Sequence, residues 1–167
     1  MIQTPNSVGK MSSSWSFEVD SLAPTAPLFV AAFADWHNLG PKLIPDIITG
    51  ITILSGNCSP GSIRRINFSP AVPFGFVKER LDSIDREKLE MKITIMEGGD
   101  LGKKMKSASS HFKVNPRGSG STVKWVLTHE VIPGADISGN FQLCKEGFAR
   151  SIKAVEEYLL TNPHTYA

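Results

Sequence analysis

Cysteine is scarce in this chain. There are two, Cys58 and Cys144, far apart and in no metal-spaced pair, which excludes a disulfide framework. Reduced thiols in a cytoplasmic protein are expected. Basic charge is not concentrated either. Lys and Arg number 18 against 16 Asp and Glu, a net +2, and the densest cluster, KKMK at Lys103–Lys106, is short. Nucleic-acid binders carry a broad basic face, so no nucleic-acid partner is expected. No apolar run approaches the ~18 residues of a membrane helix, and no charged-then-apolar leader opens the chain. Neither membrane association nor secretion is expected. His37, His111, His129 and His164 are scattered with no i, i+4 pair, so no metal site is expected, and no cofactor. What remains is ordinary for a folded domain: 167 residues, 41% hydrophobic and 20% charged, enough for one core.

Residues 1–13 are polar and aperiodic and read as a disordered tail, leaving 14–167 as one domain. SWSFEVDSL alternates Trp15, Phe17 and Val19 with polar residues, the period of a half-buried strand. Pro24 ends it and can open a helix. Leu28, Phe29, Ala32, Phe33 and Trp36 then recur at helical spacing. HNLGPKLIPD is expected to break and restart the helix, giving two short helices. GITILSG and SIRRINF read as a hairpin, and PFGFVKERLDSID, REKLEMKITIMEGG, MKSASSHFKVN and TVKWVLTHEVIPG as further strands. Hairpin-length connections imply an antiparallel meander. In the last strand Val123, Trp125, Leu127, His129 and Val131 share a face. NFQLCKEGFARSIKAVEEYLL is a long helix carrying Phe141, Cys144, Phe148, Ile152, Val155 and Leu159 at spacings of three and four, with Pro163 beyond its end. Gly147 inside it costs about 1 kcal/mol against alanine, so close approach or a cavity must favour the missing side chain. The order is α+β, with helices on one side of an antiparallel sheet.

DWHNLGPKLIPD, the SGNCSPGSI loop, PFGFVKERLDSID, MEGGDLGKK and KAVEEYLLTNPHTYA together resemble the class-10 pathogenesis-related proteins of plants, the family of the birch-pollen major allergen. The wording is nearest to monocot wound-induced members. The resemblance runs in unbroken order over residues 14–167. It implies a helix-grip, START-like fold: a seven-stranded curved antiparallel sheet, two short helices and a long C-terminal helix enclosing an apolar cavity. It also implies a cytoplasmic defence protein that binds amphiphilic small molecules such as hormones, flavonoids, sterols or fatty acids, as a monomer or weak dimer.

By strand parity and family register, the cavity is assigned Val77, Glu79, Leu81, Met91, Ile93, Ile95, Ala108, Ser110 and Phe112. Trp125, Leu127 and His129 join from the last strand, Leu143, Cys144, Gly147 and Phe148 from the long helix, and Phe33 and Leu39 from the short helices. A solid core explains most of these but not Glu79, Ser110 and His129, because buried polar groups need partners. An apolar pocket with a few converging polar groups explains both sets. Met91 and Ile93 stand where many family members carry tyrosines, so the pocket is expected to be aliphatic.

The loop Gly56, Asn57, Cys58, Ser59, Pro60, Gly61 lacks the Gly-Lys-Ser/Thr end of a phosphate-binding loop and opens a strand rather than a helix. It reads as a rigid hairpin tip. Cys58 and Ser59 replace the family's glycines, and no histidine or helix N-terminus near Cys58 is visible in the sequence to activate it. This loop, Gly98–Gly102 and the start of the long helix are expected to frame the entrance. Norcoclaurine synthases, which share the fold, suggest a condensing enzyme as the alternative. That chemistry wants a cavity lysine, and Lys106 has the parity but reads as a surface residue. The ribonuclease site proposed for the family maps onto Lys106, Glu156 and Tyr158, with a lysine where a carboxylate belongs. Abscisic acid receptors close on gate and latch motifs that EGGDLG and THEVIPG do not match.

Overall fold

The structure is a computed structural model and describes residues 12–167. Seven strands form one antiparallel sheet in the order β1-β7-β6-β5-β4-β3-β2: β1 Ser12–Ser21, β2 Ile48–Ser55, β3 Ile63–Phe68, β4 Phe76–Asp85, β5 Glu90–Gly98, β6 Met105–Arg117 and β7 Gly120–Val131. The helices are α1 Thr25–Phe29, α2 Trp36–Leu43 and α3 Ser138–Thr161. Strands β2 to β7 run as the expected meander, and β1 adds to the far edge beside β7. It begins at Ser12, two residues inside the expected tail; residues 1–11 of that tail lie outside the described residues.

The short helices divide earlier than expected. A π-helical turn, Val30–Ala34, follows α1, and the break falls at Asp35 (φ −111°, ψ 17°), not at Gly40–Pro41. Pro41 sits inside α2. The segment before the break buries Leu28, Phe29, Ala31, Ala32 and Phe33, and the wider π turn keeps this apolar face turned to the core. In α3 the predicted stripe splits. Phe148, Ile152, Val155 and Leu159 are buried, while Phe141 and Leu143 at its start are 38% and 39% exposed. From Phe148 onward α3 therefore seals against the sheet, while the turns before it are lifted and reach the sheet through Phe141 on β1.

Glu156 anchors the sealed end. Its carboxylate accepts the Leu22 N–H at 2.7 Å, just beyond β1. Burial pushes its pKa up, but hydrogen bonds from Ser21 and Leu22 and the nearby Lys153 outweigh that and hold it below the usual glutamate value. At the open end Asn140 of α3 donates to Asp100 of the β5–β6 loop, and Lys104 reaches Asn140 Oδ1 at 3.4 Å.

Candidate functional site

Between the lifted half of α3 and the concave sheet lies a hollow of about 470 Å³. Its floor is Met91 and Ile93 of β5 with Phe112 and Trp125 of the next two strands; its roof is Leu143, Cys144, Gly147 and Phe148 of α3; Phe33 closes the end toward α1. All nine of these and Glu79 are met here as strand parity and the family register assigned them, save that Leu143 is half-exposed at the mouth. A Cβ built on Gly147 meets nothing within 4 Å. The glycine therefore leaves open space and serves no close approach. Cys144 is largely buried, and burial, with the negative charge of Asp100, pushes its thiol up to about 11; it behaves as an apolar wall residue.

The one ionic feature of the wall is a pair across β3 and β4. Arg64 and Glu79 face each other in register, and Arg64 Nε donates to Glu79 Oε1. Glu79 is only 5% exposed, so its charge is carried by this partner. Arg64 was not assigned to the pocket from sequence. Consecutive Arg64 and Arg65 must point to opposite faces of a strand. Arg65 lies over the Phe76 ring at 4.0 Å, which leaves Arg64 inside.

The mouth differs from expectation. Ala71, Val72 and Phe74 from the β3–β4 connection, Ile44 and Ile47 before β2, Ile48 at its start, and Glu146 and Arg150 of α3 line it, with Arg150 bonded to Asp46 at 2.6 and 2.8 Å. The glycine loops do not frame it. The connection SPAVPFG has no period to read, and its two prolines are its one local signal.

An aromatic belt removes several assigned residues from the hollow. Phe112 and Trp125 stack at 5.8 Å, Trp125 meets Phe17 at 5.0 Å, and Phe17 meets Phe141 at 5.0 Å. Trp15 covers His129 at 4.4 Å. Leu127 and His129 turn inward as predicted but lie buried beside these rings, outside the lining, and the half-buried Ala108, paired with His129, is also outside it. Ser110 Oγ accepts the Trp125 Nε1–H at 2.8 Å, so this acceptor is already engaged. Leu39 is packed in the core. Val77 and Ile95 are half-buried against the core, also outside the lining. The cause is side-chain size: parity gives the inward face, but large rings fill it at the β1–β7 end.

A second, small chamber of about 30 Å³ adjoins the hollow and shares Phe33, Arg64, Glu79, Met91 and Ile93 with it. Leu81 and Cys58 line it. Of the glycine loop, Cys58 alone reaches a chamber; Gly56, Asn57, Ser59, Pro60 and Gly61 form the turn. The loop is the hairpin tip expected. Gly61 N–H donates to Leu81 O at 2.7 Å, fixing it to β4. Gly56 and Gly61 have φ +78° and +93°, and Cys58 has φ +66°, a region costly for any residue with a Cβ. Cys58 is not isolated from histidine, contrary to the sequence reading: its Sγ lies 3.9 Å from His37 Nε2. The π turn and the break at Asp35 bring His37 over the loop, and neither was readable from spacing.

The sequence matches the Pathogenesis-related protein Bet v 1 family over residues 10–162. The chain belongs to the Bet v 1 family. It is 47% identical over 158 residues to Pathogenesis-related protein 1 of Asparagus officinalis, covering 93% of this chain and 98% of that one. It is 34% identical over 151 residues to the major pollen allergen Car b 1, isoforms 1A and 1B, of Carpinus betulus, covering 89% and 94%. Among solved structures, that of Ara h 8.0201 superposes with a TM-score of 0.79 at 27% identity over 90% of this chain and 99% of that one. A norcoclaurine synthase point mutant of Thalictrum flavum, in complex with a transition state analogue, gives 0.78 at 19% identity over 93% and 99%; that likeness is one of fold.

Two residue sets inherited from the Bet v 1 family's other activities do not assemble. Lys106 lies on the outer surface, 3.7 Å from Glu130, because a bulge between Met105 and Ser107 reverses the parity that would have put it inside. No lysine lines either chamber. Glu156 is buried and bonded to Leu22. It sits beside Ser21, which pairs with Ser121, whereas Lys106 sits beside Glu130 at the other end of β7. At about 3.3 Å per residue these ends lie ~30 Å apart, too far for shared acid–base chemistry.

Proposed function

We propose that this protein binds amphiphilic small molecules in the 470 Å³ hollow as an intracellular carrier or store, a monomer or weak dimer, in plant defence and stress responses. The observation that carries the reading is an apolar hollow of ligand size whose wall holds a single ion pair, Arg64–Glu79. Ligand pockets of about 300–1,000 Å³ have this composition. Membership of a pathogenesis-related family supports the defence setting, and no described helix is long and apolar enough to cross a membrane. Binding is driven by burial of apolar ligand area at about 25 cal/mol per Å², and Arg64 and Glu79 orient a polar head. With Met91 and Ile93 on the floor, fatty acids and sterols are favoured over polyphenols, which need hydroxyl partners.

Displacement of the fluorescent apolar probe ANS by fatty acids, sterols, flavonoids and cytokinins tests this. Competition in that order of strength is expected. A protein that binds neither ANS nor any of the four classes would overturn the reading. The condensing-enzyme alternative needs an amine in the hollow, and no lining residue supplies one.

A further inference from the structure

The small chamber carries chemistry that the hollow does not. Cys58 sits at its rim, half-exposed, and its Sγ is 3.9 Å from His37 Nε2. The Asn38 amide lies 3.2 Å from the same nitrogen and donates to Asp35 Oδ1 at 2.6 Å. An amide N–H directed at Nε2 keeps the ring proton on Nδ1, so the single lone pair of Nε2 is shared between the Asn38 amide and the Cys58 thiol. Two further groups face the chamber. Ser62 is 7% exposed, and its hydroxyl has no hydrogen-bond partner among the described residues. A buried hydroxyl without a partner carries a desolvation cost that a bound acceptor relieves. Arg64 uses its Nε–H on Glu79, and its remaining N–H groups make no hydrogen bond among the described residues. The other walls are apolar, Ile53, Leu81 and Ile84 among them.

A thiol beside an acceptor nitrogen, a hydroxyl and a guanidinium in an apolar chamber suits an electrophilic carbon conjugated to one oxygen acceptor. We propose that Cys58 is a covalent capture site for small α,β-unsaturated carbonyl compounds, with His37 as its base and Ser62 and Arg64 as donors to the carbonyl oxygen. The thiol proton passes to His37 Nε2. Sγ bonds to the β-carbon, and the C=C electron pair moves to the carbonyl as an enolate held by Ser62 and Arg64. The proton on His37 then returns to the α-carbon. The product is a thioether, with no leaving group and no oxidant.

The strain at Cys58 fits this role. A left-handed backbone at a non-glycine residue is retained where the surroundings impose it, and such strain gathers at functional positions. Cys144 is the internal comparison, since its burial and raised pKa make it a poor nucleophile.

The test is incubation of the full chain with pent-3-en-2-one at neutral pH, followed over time by intact mass and peptide mapping, with pentan-2-one as the unreactive control. One adduct on Cys58 is expected. It persists in Cys144→Ser and is absent in Cys58→Gly. It forms about 100-fold more slowly in His37→Gln, the low end for loss of a positioned base, and more slowly in Ser62→Ala. Addition at Cys144, a Cys58 rate no greater than that of free glutathione, or unchanged rates in both His37→Gln and Ser62→Ala would overturn the proposal. The comparison with glutathione uses the unaltered protein, so it decides even if a variant fails to fold.

Discussion

Gly147 lets the hollow be tested without disturbing the core. A helix-interior glycine costs about 1 kcal/mol against alanine, and a Cβ at this position touches nothing within 4 Å, so no overpacking opposes the gain. Gly147→Ala is therefore expected to raise stability by about 1 kcal/mol, or roughly 2–4 °C in Tm for a chain of this size. Gly147→Leu keeps most of that gain and sends four carbons into the hollow's roof. Each carbon displaces about one methylene of ligand contact, worth about 0.8 kcal/mol. The loss of binding is then about 3 kcal/mol, or ~100-fold in Kd. Urea denaturation followed by circular dichroism reads the first effect, and ANS titration the second. A drop in stability for Gly147→Ala would mean that the position is closely packed. Unchanged ANS affinity in Gly147→Leu would mean that the ligand lies elsewhere. Either result refutes the reasoning.

Three other outcomes follow from contacts described above. Glu79→Ala leaves the part-buried Arg64 unpaired and is expected to cost about 3 kcal/mol, the low end for a broken buried pair, while the double replacement Arg64→Met with Glu79→Leu recovers most of it; urea midpoints at constant m-value check both. Glu156 has a folded pKa below its ordinary 4.5, so its contribution is complete above pH 4.5 and is lost as pH falls through the lower folded value. Glu156→Gln should flatten the stability–pH curve in that acid window alone. Cys58→Gly removes a Cβ from the left-handed region and should stabilise by about 1 kcal/mol, read as a rise in Tm.

The order of elements was legible because each carries its own period. Alternation marked β1 and the meander, and spacings of three and four marked α3. Parity also turned Trp125, Leu127 and His129 to the correct face. Three local irregularities defeated the same rules. The bulge after Met105 reversed Lys106. The π turn at Val30–Ala34 moved the helix break to Asp35 and carried His37 to Cys58. The packing of Trp15, Phe17, Trp125 and Phe141 filled one end of the concave face, so an inward side chain there is not a lining one. None of these alters the hydrophobic pattern, since each changes geometry by one residue or by ring volume. Arg64 was legible in principle, once Glu79 was placed inside and the hairpin register set opposite it.

The seating of β1 has a consequence for synthesis. Its residues pair with β7, Trp15 against Leu127 and Asp20 against Thr122, and its end is held by Glu156 of α3. The meander from β2 to β7 closes hairpin by hairpin as the chain leaves the ribosome, but the earliest strand waits for the latest one. At about 5–20 residues per second, that wait lasts several seconds, during which Phe17 and Trp15 have no partner and the edge of β7 is unpaired once it emerges. Nascent-chain holdases should engage this protein in that interval. A release timed before Glu156 emerges would leave β1 without the carboxylate that fastens it.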